Sequence, residues 1–406
     1  MNSTSRADAT GGTFAKASVR DADVAGRRVL VRVDFNVPLA DGAVADPARI
    51  EAALPTIRLL RDRRAALVLV SHLGRPEGAD PGLSMRPVAA ALSERIGAPV
   101  ELAPAVVGPD VERLAAGLGL GEVLLLENSR FEPGETANDP ELAAALARLA
   151  DLYVDDAFGA AHRAHATTDG VARRLPAYAG LLLEREVREL TAVRDAPEPP
   201  LVVVLGGAKV TEKLGVMKQF AAGTAEQILI GGAMCFSFFA ARGVAVGESL
   251  VEPGGPDAAR EVMRAVDESG CDLRLPVDLV IADRFAADAE CRSLAGGEVP
   301  DGWMGLDIGP RTGAEYGGAI AGAGTIFWNG PMGAFELEPF ADGTRTVAEA
   351  VAGAAGRSVV GGGDSAAALA AFGLADRIDW LSTGGGAALE LMEGRSLPGV
   401  EALDDA

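Results

Sequence analysis

Three cysteines, three histidines and four lysines are all that 406 residues contain of those types. Cys235, Cys271 and Cys291 are odd in number, widely spaced and confined to the second half, which argues against a disulfide framework or a four-ligand zinc site and predicts buried reduced thiols. No apolar run reaches the ~18 residues of a membrane span, and residues 1–12 lack a signal peptide's apolar segment, so residues 1–17 read as a flexible tail. No Gly-x-x-x-x-Gly-Lys-Ser/Thr occurs, and no Gly-x-Gly-x-x-Gly follows the first strand, so neither a P-loop nor a dinucleotide fingerprint is present. The formal charge of −21 argues against nucleic acid or an anionic membrane as partner, because either requires a basic face. Of 37 basic residues only four are lysine. With the acidic balance this fits a salt-rich cytoplasm, and a GC-rich genome would give the same arginine bias.

Length and 49% hydrophobic residues provide core for two domains. Apolar runs at 29–33, 66–70, 123–126, 152–154, 201–205, 228–230, 279–281, 325–328 and 358–360 alternate with stretches of helical spacing. That alternation predicts an α/β fold of two doubly wound, Rossmann-like parallel-sheet domains. Residues 181–190 read as one amphipathic helix that the prolines at 197, 199 and 200 end, which places the domain boundary there. The expected division is an N-terminal domain over 1–190, a C-terminal domain over 191–386 and a terminal segment over 387–406.

Ligands of open parallel sheets bind beyond the carboxyl ends of the strands, and there the two halves differ. The first half has Asp34-Phe35-Asn36, then Ser71-His72-Leu73-Gly74-Arg75, then Glu127-Asn128-Ser129-Arg130, then Asp155-Asp156 leading to His162-Arg163. All three histidines, His72, His162 and His165, fall in these clusters. The set suits a small phosphorylated carboxylate, which arginine can hold with paired N–H donors. The second half has Gly206-Gly207-Ala208-Lys209, Gly231-Gly232, Asn329-Gly330, Gly361-Gly362-Gly363-Asp364 and Gly384-Gly385-Gly386, with Lys209, Lys213 and Lys218 close together. Glycine lets backbone N–H groups approach an anion, and a helix start after it adds a favourable dipole. Asp364 either caps the following helix or holds magnesium against phosphates. Glu336 by itself is an ordinary surface charge.

From about Val19 to Leu397 the chain resembles the phosphoglycerate kinase family. The resemblance is carried by the stretch Arg32-Val33-Asp34-Phe35-Asn36-Val37-Pro38, residues 71–76, Asp156-Ala157-Phe158-Gly159 with 161–165, residues 206–213, 328–333, 361–365 and 382–387. It implies two domains facing a cleft, with 3-phosphoglycerate or 1,3-bisphosphoglycerate on the first and magnesium ADP or ATP on the second. Residue by residue, it implies that Asp34, Asn36, Arg49, His72, Leu73, Gly74, Arg75, Arg130 and Arg163 hold the triose. Arg32 and Lys213 would reach the phosphoryl group in transit, helped by backbone donors at Gly363 and Gly386. Lys209, Lys213, Gly232, Gly305, Asn329, Glu336, Gly361, Gly362, Gly363, Asp364 and Ser365 would surround the nucleotide, with Glu336 at the ribose and Asp364 on Mg2+. It further implies a cytoplasmic monomer that closes about a hinge near 190–200, its last segment, 387–406, packed on the first domain. Departures are Ser129 for the usual leucine, Asp155 where asparagine is common, and Ala233 for a third glycine. A kinase of another small acyl phosphate, or a catalytically silent nucleotide-binding protein of the same fold, are the alternatives.

Overall fold

The computed structural model describes residues 14–406, which fall into two compact units: residues 14–188 with 396–406, and residues 189–395. The tail expected over 1–17 lies outside the described residues up to 13. Residues 14–17 are not a tail: the Ala17 N–H donates to Asp404 O at 2.8 Å, and Lys16 Nζ reaches Asp405 Oδ1 at 2.8 Å and Leu403 O at 3.1 Å.

In the first unit the strands are β1 (Arg28–Arg32), β2 (Leu39–Ala40), β3 (Ala43–Val44), β4 (Ala66–Val70), β5 (Val100–Leu102), β6 (Val123–Leu125), β7 (Leu152–Asp155) and β8 (Ala177–Ala179). A six-stranded parallel sheet runs β5-β6-β4-β1-β7-β8, and β2-β3 form a separate hairpin. Every residue of β4 is buried, as an apolar run covered on both faces must be. The helices α1 (Ala48–Asp62), α2 (Arg86–Ile96), α3 (Pro109–Gly117) and α4 (Pro140–Ala147) follow their strands. In α1 the buried Ile50, Ala53, Leu54, Ile57 and Leu60 recur at helical spacing and join Val29, Val31, Leu67 and Leu69 in one core. Each such fully buried Leu, Ile or Val contributes ~1.5–3 kcal/mol. The chain leaves β1 for β4 on one side and β7 on the other, so the ends of β1 and β7 form the switch point where such sheets hold ligands.

The helix read at 181–190 runs further, as α5 (Leu181–Asp195), because no breaker precedes Pro197; the division between units falls inside it, after Arg188. In the second unit, β9 (Leu201–Leu205), β10 (Gln227–Ile230), β11 (Asp272–Arg274), β12 (Asp278–Ala282), β13 (Cys291–Ala295), β14 (Met304–Ile308), β15 (Thr325–Asn329), β16 (Arg357–Gly361) and β17 (Trp380–Leu381) alternate with helices. These are α6 (Leu214–Ala221), α7 (Met234–Ala241), α8 (Gly255–Ser269), α9 (Pro310–Ala321), α10 (Asp342–Gly353), α11 (Gly363–Ala371) and α12 (Gly385–Met392). The parallel sheet β11-β10-β9-β15-β16-β17 repeats the first topology, with its switch point between β9 and β15.

The run at 279–281 corrects the expectation of parallel strands throughout. It lies in β12, the centre of an antiparallel sheet β13-β12-β14, because the chain turns straight back after Asp283, whose N–H donates to Glu290 O, with no helix to carry a crossover. The cysteines are all free but only Cys235 is buried; Cys271 is half-buried and Cys291 is exposed on β13. The segment beyond α12 returns to the first unit from Ser396, where α13 (Pro398–Glu401) lays Gly399 on Ala161, the Gly399 N–H donating to Ala161 O at 2.8 Å.

Candidate active site

Within the first unit, the loops after β1, β4 and β6 are fastened to one another by short polar side chains. Asn36 Oδ1 accepts the Gly74 N–H at 2.8 Å, and Ser71 Oγ accepts the Phe35 N–H at 2.9 Å. Buried Asn128 accepts the Leu73 N–H at 3.1 Å and donates to Leu73 O and Leu83 O at 2.8 and 2.9 Å, so Leu73 is positioned through its backbone while its side chain joins the core. Around these loops Asp34, Arg49, His72 and Arg130 lie close enough to feel one another's charge. His72 has its pKa lowered to about 3, first by burial and then by Arg32, Arg130 and Arg49, with Asp34 opposing. Burial, with Arg32, Arg75 and Arg163 added, lowers that of Arg130 against the single carboxylate of Glu135. Arg75 and Arg163 are exposed, and Arg75 and Arg130 line a common cavity of ≈ 160 Å³ with Glu77 and Glu132.

The two arginines nearest the switch point differ in reach. Arg49 keeps 37% of its side chain exposed; its Nη1 donates to Asp34 Oδ2 at 3.1 Å and to Asn36 O at 3.2 Å, leaving Nη2 open. Arg32 is 1% exposed, and each of its three guanidinium nitrogens has a partner. Its Nε donates to Thr167 Oγ1 at 2.9 Å, its Nη1 to Val33 O, and its Nη2 lies 3.0 Å from His72 Nδ1. Arg32 is the last residue of β1, at the switch point, and to reach a phosphoryl group its guanidinium would exchange Val33 O and His72 for phosphoryl oxygens. Glu135 and Thr167, which complete its surroundings, have no spacing motif and were not legible as site residues.

In the second unit the glycines first serve to interlock loops. Gly232, at φ +62°, would place a Cβ 2.5 Å from Gly207 N, and one on Gly206 would meet Pro331 O at 2.0 Å. No side chain fits at either. Gly305 packs against Phe236, and both line a small cavity with Gly232, Leu279 and Met332. Asn329 is buried against Gly361 and Gly362, and Ser365 Oγ accepts the Gly330 N–H at 2.6 Å, tying α11 to the β15 loop.

Other groups are left open. Gly363 and Gly386 are exposed in the first turns of α11 and α12, and a Cβ on Gly363 would meet nothing within 4 Å. Gly362 is the N-cap of α11, so the capping alternative for Asp364 falls away; the exposed Asp364 carboxylate has no partner among the described residues. Lys213, 9% exposed, donates to Gly206 O at 2.5 Å and Asn329 O at 2.9 Å, at the ends of β9 and β15. Burial lowers its pKa to about 8, opposed by Asp364 and Glu212. Lys209 is exposed and paired with Glu212, and Glu336 is exposed. The donor set at α11, one free carboxylate beside open backbone N–H groups, fits a magnesium ion that draws its other ligands from phosphate and water.

The family model for phosphoglycerate kinase matches residues 19–395. A phosphoglycerate kinase of Rubrobacter xylanophilus is 56% identical over 391 residues, 96% of this chain and 98% of that protein. One of Roseiflexus castenholzii is 51% identical over 97% of this chain and 100% of its own length. Among solved structures, phosphoglycerate kinase from Coxiella burnetii superposes with a TM-score of 0.85 at 38% identity, covering 95% of this chain and 98% of that one.

Proposed function

The chain belongs to the phosphoglycerate kinase family, and from that premise we propose how its two units divide the reaction. It is a glycolytic phosphotransferase with a carboxyl group as acceptor, and its nucleotide is ATP or ADP. In our reading the first unit holds 3-phosphoglycerate or 1,3-bisphosphoglycerate through Asp34, Asn36, His72, Gly74, Arg75, Arg130 and Arg163. The observation that carries it is the contrast at the strand ends: convergent cations in one unit, open backbone donors with one free carboxylate in the other.

The acyl phosphate's bond between phosphorus and the carboxyl oxygen breaks as a β-phosphate oxygen of ADP bonds to the same phosphorus. The reverse step runs from ATP and the carboxylate. Such transfer needs positioning and charge neutralisation, with no covalent enzyme intermediate. Arg32 serves the phosphoryl group from the first unit by exchanging Val33 O and His72 for phosphoryl oxygens, while Arg49, whose Nη2 is open, joins the residues that hold the triose. Lys213 serves it from the second by exchanging the carbonyls of Gly206 and Asn329 for phosphate oxygens. Gly363 and Gly386 supply backbone N–H donors, Lys209 exchanges Glu212 for phosphate, and Glu336 meets the ribose. Asp364 would hold Mg2+, which when bound neutralises phosphate charge.

Because the two sets sit on separate units, the chain around 189–200 must act as a hinge. Since one chain carries both, a cytoplasmic monomer suffices, and the charge of −21 leaves small anions rather than nucleic acid as partners. A coupled assay offering 3-phosphoglycerate, acetate and carbamate in parallel tests the assignment. Turnover of 3-phosphoglycerate alone is expected, and equal use of acetate would overturn it.

A further inference from the structure

We propose that Phe372, at the end of α11, is a positioning residue that fixes Glu336 for the ribose by holding the ring of Phe335. This rests on the reading that Glu336 meets the ribose. The Glu336 side chain is exposed and has no ion-pair partner among the described residues, so its place is set by the backbone that carries it. That backbone is a turn over 334–337, closed by the Leu337 N–H donating to Ala334 O at 2.9 Å, with Phe335 and Glu336 at its tip. The stretch leading into the turn is well held. Buried Thr344 of α10 accepts the Met332 and Gly333 N–H groups on Oγ1 at 3.0 and 3.2 Å, and the Ala334 N–H donates to Leu306 O of β14 at 2.8 Å. The tip lacks such bonds: among the described residues neither the Phe335 nor the Glu336 N–H has a hydrogen-bond partner.

The Phe335 ring supplies the missing tether. Its centroid lies 6.4 Å from that of Phe372 with the ring planes at 72°, a separation and angle at which the edge of one ring meets the face of the other favourably. The guanidinium of Arg345, the residue after Thr344 in α10, stands 4.2 Å from the centre of the Phe372 ring, where the negative face of the ring attracts a cation. Phe372 also packs against the apolar core of the second unit, and it is the C-cap of α11, the helix whose first turn presents Gly363 and Asp364. One short helix therefore carries the phosphate donors at its start and steadies the ribose acceptor at its end. The turn is thereby fixed relative to the phosphate donors before a nucleotide arrives.

Steady-state kinetics with ATP and 2′,3′-dideoxy-ATP, joined to hydrogen exchange of the full-length protein without nucleotide, tests this. In the wild type KM should be higher for dideoxy-ATP than for ATP by about three- to tenfold, and Glu336→Ala should bring the two together. Phe372→Ala should raise KM for ATP by about three- to tenfold, leave KM for dideoxy-ATP within about twofold and keep kcat, while exchange of the Ala334 and Leu337 amides quickens about tenfold. Phe372→Tyr, which keeps the ring, should restore all of these. If Phe372→Ala does not fold, Arg345→Ala, at an exposed residue, should move the same readouts in the same direction by about twofold. An equal rise in KM for both nucleotides would mean that Phe372 only supports α11, and unchanged exchange at Ala334 and Leu337 would mean that the turn stands without it; either overturns the proposal. If instead Glu336→Ala leaves the KM ratio as in the wild type, the ribose reading fails, while the exchange rates still decide the positioning role.

Discussion

The two units carry the same six-stranded parallel topology, and the ends of equivalent strands are built from opposite materials. At the β1/β7 switch point stand a buried arginine and a buried carboxylate, Arg32 and Asp155, in register with each other. At the β9/β15 switch point stand Gly206 and Gly330, each too close to the other's loop to bear a side chain. The first unit presents charge on side chains, which must be held by further side chains such as Asn128, Thr167 and Glu135. The second presents backbone, which the sheet and the helix starts already hold, and adds only Lys213 and Asp364. A small triose with two anionic ends calls for the first solution and a polyphosphate chain for the second, because backbone donors follow a phosphate run that a single guanidinium would only clamp.

The largest effects should come from the two cations proposed to serve the phosphoryl group, Arg32 and Lys213. Lys213→Ala and Arg32→Ala should each lower kcat by about 10²–10³-fold while leaving the fold intact, as loss of one transition-state donor does elsewhere. A rise in KM alone, with kcat kept, would assign the altered residue to ground-state binding instead. Next, the glycines should separate into two kinds. Gly232→Ala, strained at φ +62° and 2.5 Å from Gly207 N, should cost about 1–3 kcal/mol or more of stability in denaturant melts. Gly363→Ala meets open space and should change stability little, its effect confined to nucleotide affinity.

Asp364→Asn should weaken magnesium nucleotide binding about tenfold, near 1.4 kcal/mol, while calorimetry finds 3-phosphoglycerate binding unchanged. Equal losses for both ligands would mean the carboxylate supports the fold. A smaller effect concerns pH. Lys213 must be charged to act, and its pKa is lowered to about 8, so kcat/KM for nucleotide should fall as pH rises through that region. Lys213→Arg should move this alkaline limb upward even at reduced activity.

Much of this contrast was legible without coordinates. Period and composition announced the sheets, and residues just past each run announced the cations and glycines, because ligand sites of such folds sit at strand ends. What was not legible had non-local causes. The burial of Arg32 depends on Thr167 and His72 closing around it, which the strand's own residues do not encode. Thr167 and Glu135 are far apart in sequence from Arg32 and are joined to it only by packing. The run at 279–281 has the apolar content of a parallel strand, and only the direct return through 283–290, with no crossover helix, makes it antiparallel. Glycine pairs read as anion loops proved to be tight loop-to-loop contacts as well, a distinction that needs the distance to the neighbouring backbone.

The first unit's use of buried charge leads to the smallest predicted effect. Asp155 sits where asparagine is common in the family, wholly buried, with Oδ1 accepting the Ala157 N–H at 2.9 Å and Oδ2 without a partner beside Gly399. Burial raises its pKa to about 7, opposed by the Ala157 N–H, Arg32 and Tyr153. Between its unfolded value near 3.8 and about 7, the folded state therefore binds a proton that the unfolded state lacks, and the stability this gives is lost as pH rises. Asparagine keeps the shape and the acceptor and removes the charge, so Asp155→Asn should raise the melting temperature by about 2–4 °C at pH 8, a gain that shrinks steadily toward pH 4. Thermal melts across that range decide it. A gain independent of pH would show that Asp155 is neutral throughout, and a loss at pH 8 would show that the carboxylate is ionised and stabilised by Arg32, making the counter-charge beneath the cation array a favourable one.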